Sequence, residues 1–421
     1  MNPADFAPLL TAPGQELLAR LTGGYDESAV LSQAEKLRAE YPPDLVSAAL
    51  TQARLRDRAA AKFGSRARDM YFTPAGYEQA TRMSVAELRA ERYRRAGVRR
   101  VADLCCGIGG DALAFAAAGI EVLAVDRDPL TCAVLAANAR AFGVEGAIEV
   151  RCEGVETVDL RGCDGVFLDP ARRTDRGRTF DPEAYSPSWS YAVGLAVRGV
   201  AAAVGFKVAP GLPHELIPRG AQAEWVSDRG EVKEAGIYFG ALVGAGCGVG
   251  GVGGGSGAAE RQATLLPGSY RLESAGVPDP SPGPVGRYLY EPDGAVIRAH
   301  LLGELAELLG AHSIDPTIAY LTADRSWEGS RGGGGGSGSG GGDGNSFVAR
   351  YEITDVLPFN VKRLRAVVAE RGYGRLTVKK RGADVDPAFL RKQLRPAGPN
   401  SAVVVVTRVA GAHMALIAQE D

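Results

Sequence analysis

Residues 101–126 read VADLCCGIGGDALAFAAAGIEVLAVD, and this run restricts the fold more than any other part of the chain. An apolar run enters a glycine turn, a helix-patterned stretch follows, and a second apolar run ends on an acid, which together make one βαβ unit. A parallel strand that stops at Cys105 leaves its following turn at the carboxyl edge of a sheet. There Gly107, Gly109 and Gly110 let the backbone approach a ligand without interference from a Cβ. Asp126, sixteen positions past Gly110 and at the end of the next strand, is placed to accept hydrogen bonds from both hydroxyls of a ribose.

The same rhythm continues. From Arg99 onward strands are expected near 100–105, 121–126, 147–152, 164–169 and 201–208, separated by helix-patterned segments, the signature of an α/β doubly wound parallel sheet. Residues 223–242, AEWVSDRGEVKEAGIYFGAL, hold two strand-like runs with no room for a crossover helix, so an antiparallel hairpin is expected to end the sheet. With 421 residues the chain exceeds what one core usually holds. Residues 1–95 read as a helical N-terminal extension, with short helices around Leu9, Leu10, Leu17, Leu18 and Leu21 and another from Leu45 to Ala61. The helix breaks at Gly64 and restarts after Thr73-Pro74. Within it Lys62, Phe63, Tyr71 and Phe72 form either an aromatic and basic lip over the site or only a packing face.

The expected domains are the extension at 1–95, the α/β domain at 96–243, a glycine-rich insertion at 244–259, a connecting segment with a strand-turn-helix at 260–328, a second glycine-rich insertion at 329–345, and a small C-terminal α/β domain at 346–421. Glycine and serine tracts of this kind bury too little apolar surface to offset their ordering entropy, so they read as flexible insertions. The formal net charge of −2 hides a division along the chain. Residues 51–100 carry 13 basic and 5 acidic side chains, residues 101–243 carry 13 and 20, and residues 347–421 carry 13 and 7. Two basic flanks around an acidic centre suit a polyanion held beside a site for a cationic cofactor, although solvated arginines on helix faces give the same count.

Glycine spacing alone does not name the cofactor. Gly107, Gly109 and Ala112 also satisfy the looser dinucleotide pattern, and a glycine turn can serve only to pack a helix on a sheet. Asp103, four residues before the first glycine, and the acid-proline pair Asp169-Pro170 after the fourth apolar run favour a cationic ligand. A pyrophosphate is poorly served by a nearby carboxylate, whereas the ammonium and sulfonium of S-adenosylmethionine tolerate one. The D-x-x-C-G-x-G-G pattern resembles motif I of class I methyltransferases, and the terminal hairpin is similar to the sixth and seventh strands of their Rossmann-like seven-stranded sheet.

The C-terminal order β-α-β-α-β-β, with its VLPF start and its KKRG and DVDP segments, resembles a THUMP-like domain. From about Lys62 onward the chain looks like a bacterial class I methyltransferase carrying that domain, with a looser likeness to trimethylguanosine synthases. The resemblance implies S-adenosylmethionine bound by Asp103, Cys106, Gly107, Gly109, Gly110, Asp126 and Glu153. It also implies Asp169 and the Pro170 carbonyl orienting an NH₂ nucleophile, most plausibly on an RNA base, with proximity and alignment supplying most of the acceleration.

In enzymes acting on exocyclic amines this motif ends in an aromatic. Here it runs Asp169-Pro170-Ala171-Arg172-Arg173, so Arg172 or Arg173 is expected to stack on a base or grip a phosphate, Lys207 either to face the substrate or only to be solvated at a strand end, and Tyr185 or Trp189 either to stack or to pack. No metal is required, because a sulfonium is already a strong methyl donor, and the six cysteines lack zinc-ligand spacing. No apolar run approaches a membrane span, and a cytoplasmic protein is expected. Two other functions fit the same residues: a non-catalytic RNA-binding protein retaining a cofactor pocket, and a small-molecule methyltransferase. The sequence names neither the RNA nor an oligomeric state.

Overall fold

The computed structural model describes residues 2–22, 30–171, 181–245, 260–326 and 347–420, with the backbone alone at 173–174, 177–178 and 249–252. The chain forms two units. The first comprises Met1–Ala223 and Glu234–Cys247, the second Glu224–Lys233 and Gly248–Asp421.

In the first unit the N-terminal extension is built from helices joined by short non-helical stretches: α1 Pro3–Phe6, α2 Ala12–Arg20, α3 Val30–Arg38, α4 Pro43–Phe63, α5 Pro74–Gln79 and α6 Met83–Arg95. Prolines occupy the first turns of α4 and α5, where a missing N–H costs nothing, and α4 stops at Gly64 with φ +60°. The sheet follows as β1 Arg100–Leu104, β2 Glu121–Asp126, β3 Ile148–Cys152, β4 Gly165–Leu168 and β5 Ala203–Val208, then the hairpin β6 Gln222–Asp228 and β7 Glu231–Gly240. Their order is β3-β2-β1-β4-β5-β7-β6. The strands β1 to β5 pair in parallel and β7 runs antiparallel to β5.

Strand order reverses at β1, whose neighbours β2 and β4 lie on opposite sides, so the connections there diverge and open a crevice at the carboxyl ends. Helices α7 Gly110–Ala117, α8 Pro129–Phe142 and α9 Trp189–Val197 belong to these crossovers. Asp128 caps α8 by accepting from the amides of Leu130 and Thr131 at 3.2 and 3.3 Å, and Gly143 ends it at φ 67°. Helix α6 is joined to the sheet by an aromatic trio. Tyr93 meets Phe115 and Phe167 edge-on at 5.0 and 6.5 Å between centroids, and its hydroxyl donates to the Val166 carbonyl at 2.7 Å.

The second unit holds strands of its own. There residues 224–228 of β6 lie beside β8 Arg261–Leu266, which pairs antiparallel with β9 Tyr270–Glu273, and the backbone strand Val249–Val252 pairs in parallel with β9. Glu224 of β6 is buried and accepts from Gln262 and Thr264 at 2.6 Å each, a polar match that seals what would otherwise be an open edge.

A second sheet has the order β11-β12-β10-β13-β16-β15-β14, from β10 Tyr288–Pro292, β11 His312–Ser313, β12 Leu321–Ala323, β13 Val348–Pro358, β14 Tyr373–Lys380, β15 Asn400–Val409 and β16 Ala412–Glu420. The strand-turn-helix at 260–328 is β10 followed by α10 Gly294–Arg298 and α11 Leu302–Leu309. Helices α12 Val361–Glu370 and α13 Pro387–Leu394 supply Leu364, Val368, Leu390 and Leu394 to a core with Val404, Val406 and Ile417. Apart from Gly244, Ala245 and the Val249–Val252 backbone, most of the two glycine-rich insertions lies outside the described residues.

Candidate functional site

At the carboxyl end of β1 the backbone turns sharply. Cys105 has φ 62°, a left-handed conformation that costs a non-glycine residue about 1–3 kcal/mol. Gly109 follows with φ 95°, and a Cβ there would sit 2.1 Å from Leu135 Cδ1, so α7 can start this close to α8 only on a glycine. A Cβ on Gly107, φ 56°, would meet nothing within 4 Å, so the backbone at that position borders open space. The Gly107 amide donates to Asp126 Oδ2 at 3.1 Å and the Asp128 amide to Oδ1 at 3.0 Å. The carboxylate at the end of β2 is therefore fixed by two amides.

These residues border a cavity of 660 Å³ within the first unit. Of the residues expected from sequence, Cys106, Gly107, Gly110, Asp126, Glu153, Asp169, Pro170 and Lys207 line it together. Gly109, within the turn, does not line it. Asp103 is 1% exposed, and neither of its carboxylate oxygens has a hydrogen-bond partner among the described residues. Burial, reinforced by Asp111 and Asp169, pushes its acid group well above the usual carboxylate range. Arg172 lies outside the described residues, and of Arg173 only the backbone is described. Tyr185 is buried and Trp189 packs edge-on against Phe206 at 5.3 Å; neither lines the cavity, and no described lining residue is aromatic.

Lys207 lines the cavity with its ammonium already engaged. It is 8% exposed, and its ammonium donates to Asp169 Oδ2 at 2.6 Å and to Thr81 Oγ1 at 3.1 Å. Burial alone would lower its pKa, but Asp169, Glu234 and Asp111 outweigh that and raise it, so the ammonium persists. Thr81 in turn donates to Asp111 Oδ2 at 2.8 Å. Arg89, 2% exposed, bridges Asp111 and Glu234 and lies 4.3 Å over the Phe167 ring. Sequence reasoning missed Thr81, Arg89, Asp111 and Glu234. The available signal for Asp111 was its place directly after the last glycine of the turn.

Of the two readings of Lys62, Phe63, Tyr71 and Phe72, the structure bears out packing for the three aromatics. Phe63, Tyr71 and Phe72 are buried in the core, because each is held against the helical extension, and the cavity wall is built instead from residues 73–81. The basic flank at 51–100 likewise shrinks as a polyanion surface. Arg89 and Arg92 are buried, Arg56 donates to the Met70 carbonyl, and Lys62 is engaged with three carbonyls. In the second unit Lys379 and Arg381 both pair with Glu291, whereas Lys362, Arg363 and Arg365 on α12 and Arg391 and Lys392 on α13 are exposed.

The thiols beside the cavity are weak nucleophiles. Burial, with Cys152 close by, pushes Cys132 up to about 12, and its Sγ donates to the Asp126 carbonyl at 3.4 Å. Alkylation by iodoacetamide at pH 8 is expected to leave Cys132 unmodified in folded protein, which peptide mass spectrometry after quenching checks; rapid modification there would contradict it. Among the described residues no helix is long and apolar enough to cross a membrane.

The donor set fits S-adenosylmethionine. A fixed carboxylate at the end of β2 suits ribose hydroxyls and the Gly107 backbone borders open space, whereas Asp103, expected to face the cofactor, is buried behind the turn outside the cavity lining, where its raised pKa favours the neutral acid. Comparison with known proteins agrees. A family model described as RNA cap guanine-N2 methyltransferase matches residues 98–170, one described as THUMP domain-like matches residues 348–420, and a domain of unknown function (DUF8688) matches residues 2–59. Two proteins of Mycobacterium tuberculosis, strains H37Rv and CDC 1551, each described as an uncharacterized S-adenosylmethionine-dependent methyltransferase, are 30% identical over 363 residues, 84% of this chain and 90% of each relative. The crystal structure of a protein from Porphyromonas gingivalis W83, assigned as a methyltransferase, shares the fold with a TM-score of 0.67 at 17% identity, over 94% of this chain and 99% of that one.

Proposed function

We propose, from the premise that this chain belongs to the S-adenosylmethionine-dependent methyltransferases, that it methylates a nitrogen of an RNA base. The observation that carries this reading is the Asp169 carboxylate at the end of β4, with one oxygen engaged by a buried lysine at 2.6 Å and the residue lining the cavity. Asp126 would hold the ribose hydroxyls, the backbone of the 105–110 turn the methionine portion, and Glu153 the adenine amine. When bound, the cofactor supplies an electrophilic methyl group on sulfur.

Asp169 Oδ1 and the Pro170 carbonyl accept hydrogen bonds from an exocyclic amine and so aim its lone pair. Asp169 would take up the proton that the amine nitrogen loses on methylation. Lys207 and Thr81 hold that carboxylate in place rather than touching substrate.

An RNA substrate is supported by the family-model matches over 98–170 and 348–420, of which the first ends on Pro170 itself. The exposed cations of α12 and α13 add a polyanion surface. The test is transfer of labelled methyl from the cofactor to bulk cellular RNA, followed by mass spectrometry of its nucleosides. An N-methylated nucleoside, with transfer falling as salt rises, supports the reading; a folded protein that binds S-adenosylhomocysteine but labels only small molecules or nothing overturns it. Asp126→Ala is expected to weaken S-adenosylhomocysteine by roughly tenfold or more, the worth of hydrogen bonds to a charged group, as read by isothermal titration.

A further inference from the structure

Residues 70–73 and 80–81 flank the short helix α5, and the backbone of this strap is bonded by side chains of α4. Gln52 pairs with both backbone groups of Phe72 at 2.7 and 2.9 Å, and Arg56 donates to the Met70 carbonyl at 2.8 Å. From α8, Asn138 bonds the Tyr71 amide at 2.7 Å and carbonyl at 3.1 Å, and reaches the Ile108 carbonyl in the turn at 3.0 Å. The far end of the strap is held by one cation. Lys62 Nζ donates to the carbonyls of Tyr77, Glu78 and Ala80 at 2.6, 3.0 and 3.1 Å, with the Tyr77 ring 5.0 Å away.

Those carbonyls close α5, a helix of six residues whose last carbonyl groups have few internal partners, so an ammonium there satisfies three acceptors at once. The segment they terminate lies directly against the turn. A Cβ on Gly76 would meet Ile108 Cγ2 at 2.4 Å, and one on Gly110 would meet the Thr81 carbonyl at 3.3 Å. Glu78, Gln79, Ala80 and Thr81 all line the cavity.

We propose that Lys62 is a positioning residue of the transfer reaction: by gathering these three carbonyls it holds the cavity wall formed by residues 78–81 against the glycine turn, and so sets cofactor affinity. The proposal rests on the assignment of the 105–110 turn to the cofactor. Nothing about the acceptor enters it, so it stands or falls independently of RNA as substrate.

Isothermal titration of the full-length protein with S-adenosylhomocysteine tests it. Lys62→Met is expected to weaken binding roughly tenfold, the loss of charge-assisted bonds to carbonyls, while Lys62→Arg, which keeps a cation and several donors, stays within about threefold of the parent. Arg20→Ala, on the exposed side of the same extension, is expected to leave binding unchanged. Binding at parental strength by folded Lys62→Met, no recovery with Lys62→Arg, or an equal loss with Arg20→Ala overturns the proposal. Lys62→Gln takes the place of the methionine variant should that one not fold. Asp126→Ala run alongside separates the readings: parental affinity there defeats the turn assignment and the proposal together, whereas a loss there without one in Lys62→Met defeats the proposal alone.

Discussion

Asp169→Asn is expected to cut methyl transfer by roughly a hundredfold or more, the usual loss when a positioned acid or base is removed, while S-adenosylhomocysteine binds within about threefold of the parent. Asparagine keeps the shape of the side chain and can still accept one hydrogen bond, so aim suffers less than proton acceptance. The variant also strips the buried Lys207 ammonium of the partner that does most to offset its burial, at 2.6 Å. The measurement is single-turnover transfer at saturating cofactor beside a titration with S-adenosylhomocysteine. A variant that transfers at more than a tenth of the parental rate excludes Asp169 as proton acceptor. Equal losses of transfer and of cofactor affinity would mean that the carboxylate serves the cofactor instead.

Much of the fold was legible because parallel strands buried on both faces read as continuous apolar runs, and each of these runs ends on a chemically distinct residue. Runs such as VADL and EVLAVD fix both the strand and its carboxyl end, which is why Asp126 and Asp169 were placed from sequence and meet at one cavity. The supporting network was not legible, since it depends on contacts far apart in the chain. Arg89 and Arg92 look like Arg94 and Arg95 in composition, yet the first two are buried and the latter two lie outside, paired with Glu91. Helical spacing held a clue. Arg89 stands four residues after Val85 and four before Tyr93, both on the buried face of α6. Tyr185 and Trp189 could not be sorted from sequence, because an aromatic beside a proline packs as readily as it stacks; the structure turns both to packing.

Arg89→Met is expected to destabilise the protein by about 3–5 kcal/mol, the cost of removing one partner from a buried ion cluster. Arg89 is the cation between Asp111 and Glu234, all three are buried, and no solvent can replace it once the side chain is apolar. Glu234 already has its acid group raised by burial, with Arg89 opposing. A carboxyl whose folded pKa lies above its unfolded value binds more protons folded than unfolded, so its contribution is best below the unfolded value, about 4.3, and is lost as pH rises toward the folded one. Removing the opposing cation widens that window upward. The deficit of Arg89→Met relative to the parent is therefore expected to be larger at pH 8 than at pH 5.5, as read from urea unfolding with an unchanged slope. A deficit under 1 kcal/mol, or one indifferent to pH, would contradict the cluster as drawn. Replacing the whole cluster with Arg89→Met, Asp111→Asn and Glu234→Gln is expected to recover most of the loss, because no buried charge is then left unpaired. That non-additivity distinguishes an ionic cluster from three side chains that merely fill space, for which the triple variant would be the least stable of all.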